Sequence, residues 1–205
     1  YYPYVEPHPG AGRGLLARLA EDACVVVTDH WPSLHIPALV NAAGRALSVR
    51  LEQVDGNGLL PMTATERTFK RAVDFRRHVQ RSLLQAMPSF PAADPLAGLK
   101  LPRHRALPAD VAERWPAADA TLLRDAPRLG DLPIDHTVAA VDLPGGTTAG
   151  EGALETFLAR RLHRYEAERN QPEAHATSGL SPYLHFGHVG AHQVLASLLA
   201  QEQWS

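Results

Sequence analysis

The sequence predicts an α/β segment followed by an all-α segment, and three observations lead to that class. Helical and strand-like apolar patterns alternate over residues 14–54, which implies a parallel sheet. From Met87 to about Gly150 the chain is rich in Pro, Ala and Gly and holds only short helical patterns. Beyond residue 150 the 3.6-residue apolar period returns. The expected organisation is a partial α/β domain over 1–86, a connector over 87–150 and the start of a helical domain over 151–205.

Gly14 to Glu21, with apolar residues at 15, 16 and 19, is expected as a short helix. The β-branched run Ala23 to Thr28, bounded by Asp29, is expected as a strand buried on both faces. Ile36 to Leu47 is helical in pattern. Ser48 to Val54, in which Val49, Leu51 and Gln53 share one face, is a second strand closed by the turn Asp55-Gly56-Asn57-Gly58. Phe69 to Leu84 is an amphipathic helix whose stripe runs through Phe69, Ala72, Val73, Arg76, Val79, Leu83 and Leu84.

The connector holds two short helical candidates, Pro108 to Arg114 and Ala118 to Arg124. Thr148 and Glu151 have capping-box spacing, in which each side chain would satisfy the other's orphan amide. Leu154, Phe157, Leu158, Leu162 and Tyr165 then repeat as one helix through Ala167. Ala191, Val194, Leu195, Leu198 and Leu199 mark the last helix.

Composition narrows the class further. A chain of 205 residues, 45% apolar and with a formal charge of −2, is a globular type and not a uniformly basic nucleic-acid coat. No apolar run approaches the ~18 residues of a membrane span, and no leader pattern precedes a cleavage site, so no membrane partner and a cytoplasmic location are expected. Cys24 stands alone, which excludes a disulfide framework and a cysteine metal cage; it is expected as a small buried hydrophobe. Both ends, Tyr1-Tyr2-Pro3 and Glu202-Gln203-Trp204-Ser205, have the character of mid-protein sequence, and the chain is expected to be an inner piece of a longer one.

The chemistry concentrates in Ala176-Thr177-Ser178-Gly179-Leu180-Ser181-Pro182-Tyr183-Leu184-His185-Phe186-Gly187. Ser181 is expected as an N-cap, with Pro182 at the first helical position and Gly187 as a left-handed stop. Free amides and the hydroxyls of Thr177 and Ser178 at a helix mouth suit a phosphate or diphosphate; a cap that serves no ligand is the alternative. The glycines of Gly10-Ala11-Gly12-Arg13-Gly14 follow no strand and lack G-x-G-x-x-G spacing, so a flexible turn is expected there. His185, His188 and His192 are interrupted by Gly187 and joined by no carboxylate or cysteine, and no metal is expected. Asp29, near Trp31, falls at the carboxyl end of its strand, where open sheets bind ligands; a plain strand-ending turn is the alternative.

The run Tyr165-Glu166-Ala167-Glu168-Arg169-Asn170-Gln171-Pro172 followed by Thr177-Ser178-Gly179-Leu180-Ser181-Pro182-Tyr183-Leu184-His185-Phe186-Gly187-His188 resembles the start of the flavin-binding domain of the DNA photolyase and cryptochrome family. The wording is most similar to class II cyclobutane pyrimidine dimer photolyases, with weaker likeness through Gly130 to His136, Val54 to Asn57 and Val26 to Asp29. The resemblance implies the second half of an antenna-type, Rossmann-like parallel-sheet domain, a long connector, and the first helices of an α-helical FAD-binding domain. It implies that Thr177, Ser178, Gly179, Leu180 and Ser181 hold the diphosphate and ribose side of FAD, with Tyr165 against the cofactor.

Arg169 resembles a family residue that meets the backbone of UV-damaged DNA, and Arg160, Arg161 and Arg164 add a basic flank, unless they form a solvated helix face. The implied function is light-driven splitting of pyrimidine dimers by reduced FAD. An antenna chromophore of unread identity could accompany it, and no obligate protein partner is evident. Catalytic and electron-transfer residues are expected beyond Ser205, and no relay role is expected for Trp31, Trp115 or Trp204. Gly190 stands where related sequences have Ser before the last helix. A cryptochrome-like photoreceptor and a non-catalytic α/β module are the alternatives.

Overall fold

The computed structural model describes residues 1–87, 90–100, 102, 106–119, 121–122, 126–139 and 141–201. The expected helix Ala118 to Arg124 lies partly, and Trp204 wholly, outside the described residues. The regular elements are α1 (Leu15–Ala20), β1 (Val25–Asp29), α2 (Ile36–Ala46), β2 (Arg50–Val54), α3 (Ala72–Ala86), α4 (Ala109–Arg114), α5 (Thr147–Arg160), α6 (Leu162–Glu168), α7 (Ser181–His185) and α8 (Ala191–Gln201). An α/β segment with a two-stranded sheet is thus followed by helices alone. Contacts group the chain into two compact units, Tyr1–Asp55 with Leu99–Asp142, and Gly56–Gly98 with Leu143–Ser205.

In the first unit β1 and β2 pair in parallel, with Val25 opposite Arg50 and Asp29 opposite Val54. The ladder continues by one bond, from the His30 amide to the Val54 carbonyl at 2.8 Å. Parallel pairing requires a crossover, which α2 supplies. At Gly44 a β-carbon would stand 3.5 Å from Leu51 Cδ2, so α2 approaches β2 at that residue.

Two expectations fail here. β1 is not buried on both faces: Val25 and Val27 are 41% and 58% exposed, whereas Val26 and Thr28 are half-buried. Alternate side chains leave a strand on opposite faces, and an apolar run reads alike whether one face or both are covered. Cys24 is exposed, because the strand begins after it.

The centre of this unit is Trp115, 2% exposed, beside the fully buried Val111 of α4. The indole Nε1 donates to the Ala11 carbonyl at 3.0 Å, and Tyr2 Oη donates to the Trp115 carbonyl at 2.7 Å. Arg18 of α1 clasps Asp110 of α4 through Nε at 2.7 Å and Nη2 at 3.0 Å. Hydrogen bonding from that guanidinium holds the Asp110 carboxyl below the ordinary carboxylate range.

In the second unit α3 starts later than its apolar pattern. Phe69 precedes the helix and folds back edge-on to Phe75, with ring centroids 5.5 Å apart, while Arg71 closes the first turn on Asp74 at 2.8 and 3.0 Å. Val73 and Leu84, expected in the apolar stripe, are exposed.

The capping box of α5 is absent. The helix begins at Thr147, one residue before the expected cap, and Glu151 instead accepts from Gln193 Nε2 at 3.1 Å. Its entrance is held from α7 and the turn that follows: His188 Nδ1 accepts from the Gly146 amide at 3.1 Å, and Tyr183 Oη donates to the Pro144 carbonyl at 3.2 Å. The expected single helix through Ala167 is broken at Arg161 (φ −125°, ψ −21°), which ends α5 and precedes α6. α8 starts as the glycine allows: the Gly190 carbonyl accepts from the Val194 amide at 3.0 Å, and Gln193 Oε1 reaches back to the Gly190 amide at 3.4 Å.

Leu154, Leu180, Tyr183 and Val189 form the buried cluster of this unit, flanked by Ala149, Ala153, Leu158 and Val194. Gly150 is there because a β-carbon would meet Val189 Cγ2 at 2.5 Å and Tyr183 Cδ1 at 3.3 Å, while Gly152 on the same helix has open space. Gly152→Ala should therefore raise stability by up to about 1 kcal/mol through helix propensity. Gly150→Ala gains the same term but forces a stiff, buried valine aside at about 1–3 kcal/mol, so it should lower stability. Urea midpoints of the two variants measure this, and a stabilised Gly150→Ala would refute the close approach.

Candidate functional site

The segment before α7 is an arch between two buried anchors. Ala176 is fully buried and Leu180 is 2% exposed, so the three residues between them are lifted away from the core. Thr177 and Gly179 are exposed and Ser178 is half-buried. Gly179 adopts φ +71°, a left-handed conformation that a residue with a β-carbon enters only at a cost of about 1–2 kcal/mol.

Leu180 also sets the helix register. It takes the cap position itself (φ −85°, ψ −10°), and its carbonyl accepts from the Leu184 amide at 2.9 Å. Ser181 is consequently not the N-cap that the sequence suggests; it is the first helical residue, with an exposed side chain and no cap bond. Pro182 follows in the second position, where it forfeits no helical bond. Ser178 Oγ accepts from the Leu180 amide at a long 3.4 Å. Gly187 stops the helix at φ +68°, as expected.

Among the described residues no group accepts from the amides of Thr177, Ser178, Gly179 or Ser181. Four amides and the exposed hydroxyls of Thr177 and Ser181 are thus hydrogen-bond donors on one short arch. Such a donor set is suited to oxyanion oxygens.

Two arginines hold the strap behind it. Arg161 Nη1 donates to the Thr177 carbonyl at 3.1 Å, and Arg164 Nη2 to the Ala174 carbonyl at 2.7 Å. Between those carbonyls lies His175, a non-glycine residue at φ +49°. The sequence showed both arginines as part of a basic flank and missed this role. Their i, i+3 spacing signals a shared face, but the helix break that turns them toward the strap has no Pro or Gly to announce it.

Tyr165 lies on α6, half-buried, with its ring edge-on to Phe157 at 5.4 Å. Arg169 is exposed, its guanidinium carbon 5.7 Å from the Tyr165 ring centroid. Arg160 is exposed as well. His188 is engaged by Gly146, His192 packs edge-on to Phe90 at 4.5 Å, and His185 edge-on to Phe186 at 4.7 Å. Among the described residues no three of His, Cys, Asp and Glu gather as metal ligands, and no helix is long and apolar enough to cross a membrane.

Two described clefts lie elsewhere. One of about 960 Å³ is bordered by Tyr1, Leu19, Cys24 and Leu107 in the first unit, and one of about 370 Å³ by Leu60, Met62, Phe75 and His78 in the second. Asp29 ends β1 with its side chain exposed and borders neither.

No family model matches the chain. It is similar to the deoxyribodipyrimidine photo-lyase of Methanothermobacter thermautotrophicus, with 30% identity over 176 residues, 85% of this chain and 36% of that protein. The protein of the same name from Oryza sativa subsp. japonica is 32% identical over 151 residues, 71% of this chain and 27% of the relative. That from Potorous tridactylus is 28% identical over 174 residues, 83% and 30% respectively. The chain spans about a third of the length of these relatives. Across archaeal, plant and animal proteins this amounts to family-level homology with deoxyribodipyrimidine photo-lyases.

Proposed function

We propose that this chain is a segment of a light-driven DNA repair flavoenzyme of the class II photolyase kind, acting in the cytoplasm, in which the 177–181 arch receives the diphosphate of FAD. The observation that supports the reading is the set of four amides without a protein acceptor, at Thr177, Ser178, Gly179 and Ser181, three of them in the segment lifted outward between Ala176 and Leu180. It occurs in a chain homologous to deoxyribodipyrimidine photo-lyases over most of its length. The donor chemistry fits the group: amides and hydroxyls can hold phosphate oxygens without a basic side chain at every contact.

Reduced FAD held there would supply the light-driven chemistry, a one-electron donation to a cyclobutane pyrimidine dimer with the electron returned after the ring opens. The residues of this chain do the holding. Thr177 and Ser181 donate their hydroxyls, Gly179 gives the left-handed turn that brings backbone amides together, and Leu180 fixes the arch to the core. Tyr165 borders the cofactor from α6. Arg169, exposed on the same side chain stack, meets the phosphate backbone of UV-damaged DNA, a contact that positions the protein without reading sequence.

In the intact protein the double variant Thr177→Ala/Ser181→Ala is expected to lose its yellow flavin absorbance and, with it, light-dependent dimer splitting. A variant that keeps full flavin and a wild-type far-UV spectrum would remove the reading. Flavin retained by the wild type without dimer splitting would favour a cryptochrome-like photoreceptor.

A further inference from the structure

We infer that Arg161 is the positioning residue of the diphosphate arch, an inference that rests on the reading of that arch as an FAD site. Its Nη1 donates to the Thr177 carbonyl at 3.1 Å, which fixes the peptide plane whose other side carries the Ser178 amide. The same nitrogen would stand 3.7 Å from a β-carbon on Gly179, so the guanidinium spans the arch from Thr177 to Gly179. No carboxylate pairs with Arg161 among the described residues, whereas Arg164 lies 3.3 Å from Glu168 and Arg18 is bound to Asp110. A guanidinium with no countercharge beside an arch of free amides leaves a net positive field where an anion would sit.

The backbone explains how it comes to be there. Residue 161 is the break between α5 and α6, and no Pro or Gly causes it. Arg161 stands at the break itself and Arg164 on α6, and both bond carbonyls of the 174–177 strap. Arg161 thus acts through Thr177 and through its charge, and it is not proposed as a group that touches the reacting atoms.

The test is FAD binding by apoprotein prepared from the intact flavoprotein, titrated over a series of salt concentrations. Arg161→Gln should raise the Kd about tenfold, the loss of one charge-assisted hydrogen bond, and should flatten its rise with salt. Arg161→Lys, which keeps the charge but not the planar fork, should recover part of the affinity and all of the salt dependence. A Gln variant that binds as tightly as wild type overturns the inference and leaves the FAD reading intact. So does weakened binding with an unchanged salt dependence and no rescue by Lys, which would mark a purely structural arginine. If the Gln variant fails to fold, Arg161→Lys decides: an unchanged Kd overturns the pinning role and a several-fold rise supports it. A wild-type protein that binds no FAD at all fails the functional reading, and the inference with it.

Discussion

Trp115→Ala should be the most destabilising single change in the first unit, at about 3–5 kcal/mol for a buried indole cut back to a methyl group. The unit offers little to compensate. Only Ala20, Val111 and Trp115 are buried apolar residues among its described positions, and Val25 and Val27 of its sheet are exposed. The indole touches the turn that leads into α1, where a β-carbon on Gly14 would lie 3.5 Å from Cζ2, and it bonds the Ala11 carbonyl. Removing the ring therefore weakens the joint between the turn into α1 and α4, where the Arg18–Asp110 clasp is solvent-exposed. Trp115→Phe should cost less, since it keeps most of the apolar volume and loses one hydrogen bond of about 1 kcal/mol. Urea unfolding followed by far-UV circular dichroism measures both, and a loss below about 1 kcal/mol for the alanine variant would contradict the central place given to this ring.

Leu180→Ala should be the corresponding change in the second unit, at about 2–5 kcal/mol. Its consequence reaches the candidate site because this side chain is the downstream anchor of the arch and the cap of α7. With the anchor gone, the Thr177–Gly179 segment has less to hold it outward, so flavin should be lost at temperatures where the fold itself persists. Leu180→Met, close in volume, should cost less than about 1.5 kcal/mol and keep the flavin. Equal flavin retention in both variants would mean that packing under the arch does not set its donor geometry.

What the sequence made legible depended on whether the signal was periodic or contextual. The stripe Leu154, Phe157, Leu158 and the stripe of α8 are periodic, and every residue in them is buried or half-buried. The parallel pairing of β1 with β2 likewise followed from helix-strand alternation. Gly187 as a left-handed stop was legible because only glycine enters that region without strain. Capping was not legible, since a cap depends on where the first helical bond closes: Leu180 displaced Ser181, and Gly146 displaced Thr148, each by a shift too small for spacing alone to detect. One-sided burial of β1 depended on how many strands and layers cover the run, which its own residues do not encode.

The interruption between α5 and α6 sorts the positive residues of this stretch by destination. Two guanidinium groups are tied to main-chain oxygens of the same molecule, while Arg160 and Arg169 are exposed. A bond to a neutral carbonyl immobilises a cation without neutralising it, so Arg161 stays a fixed positive charge beside the strap, whereas Arg164 shares its charge with the Glu168 carboxylate 3.3 Å away.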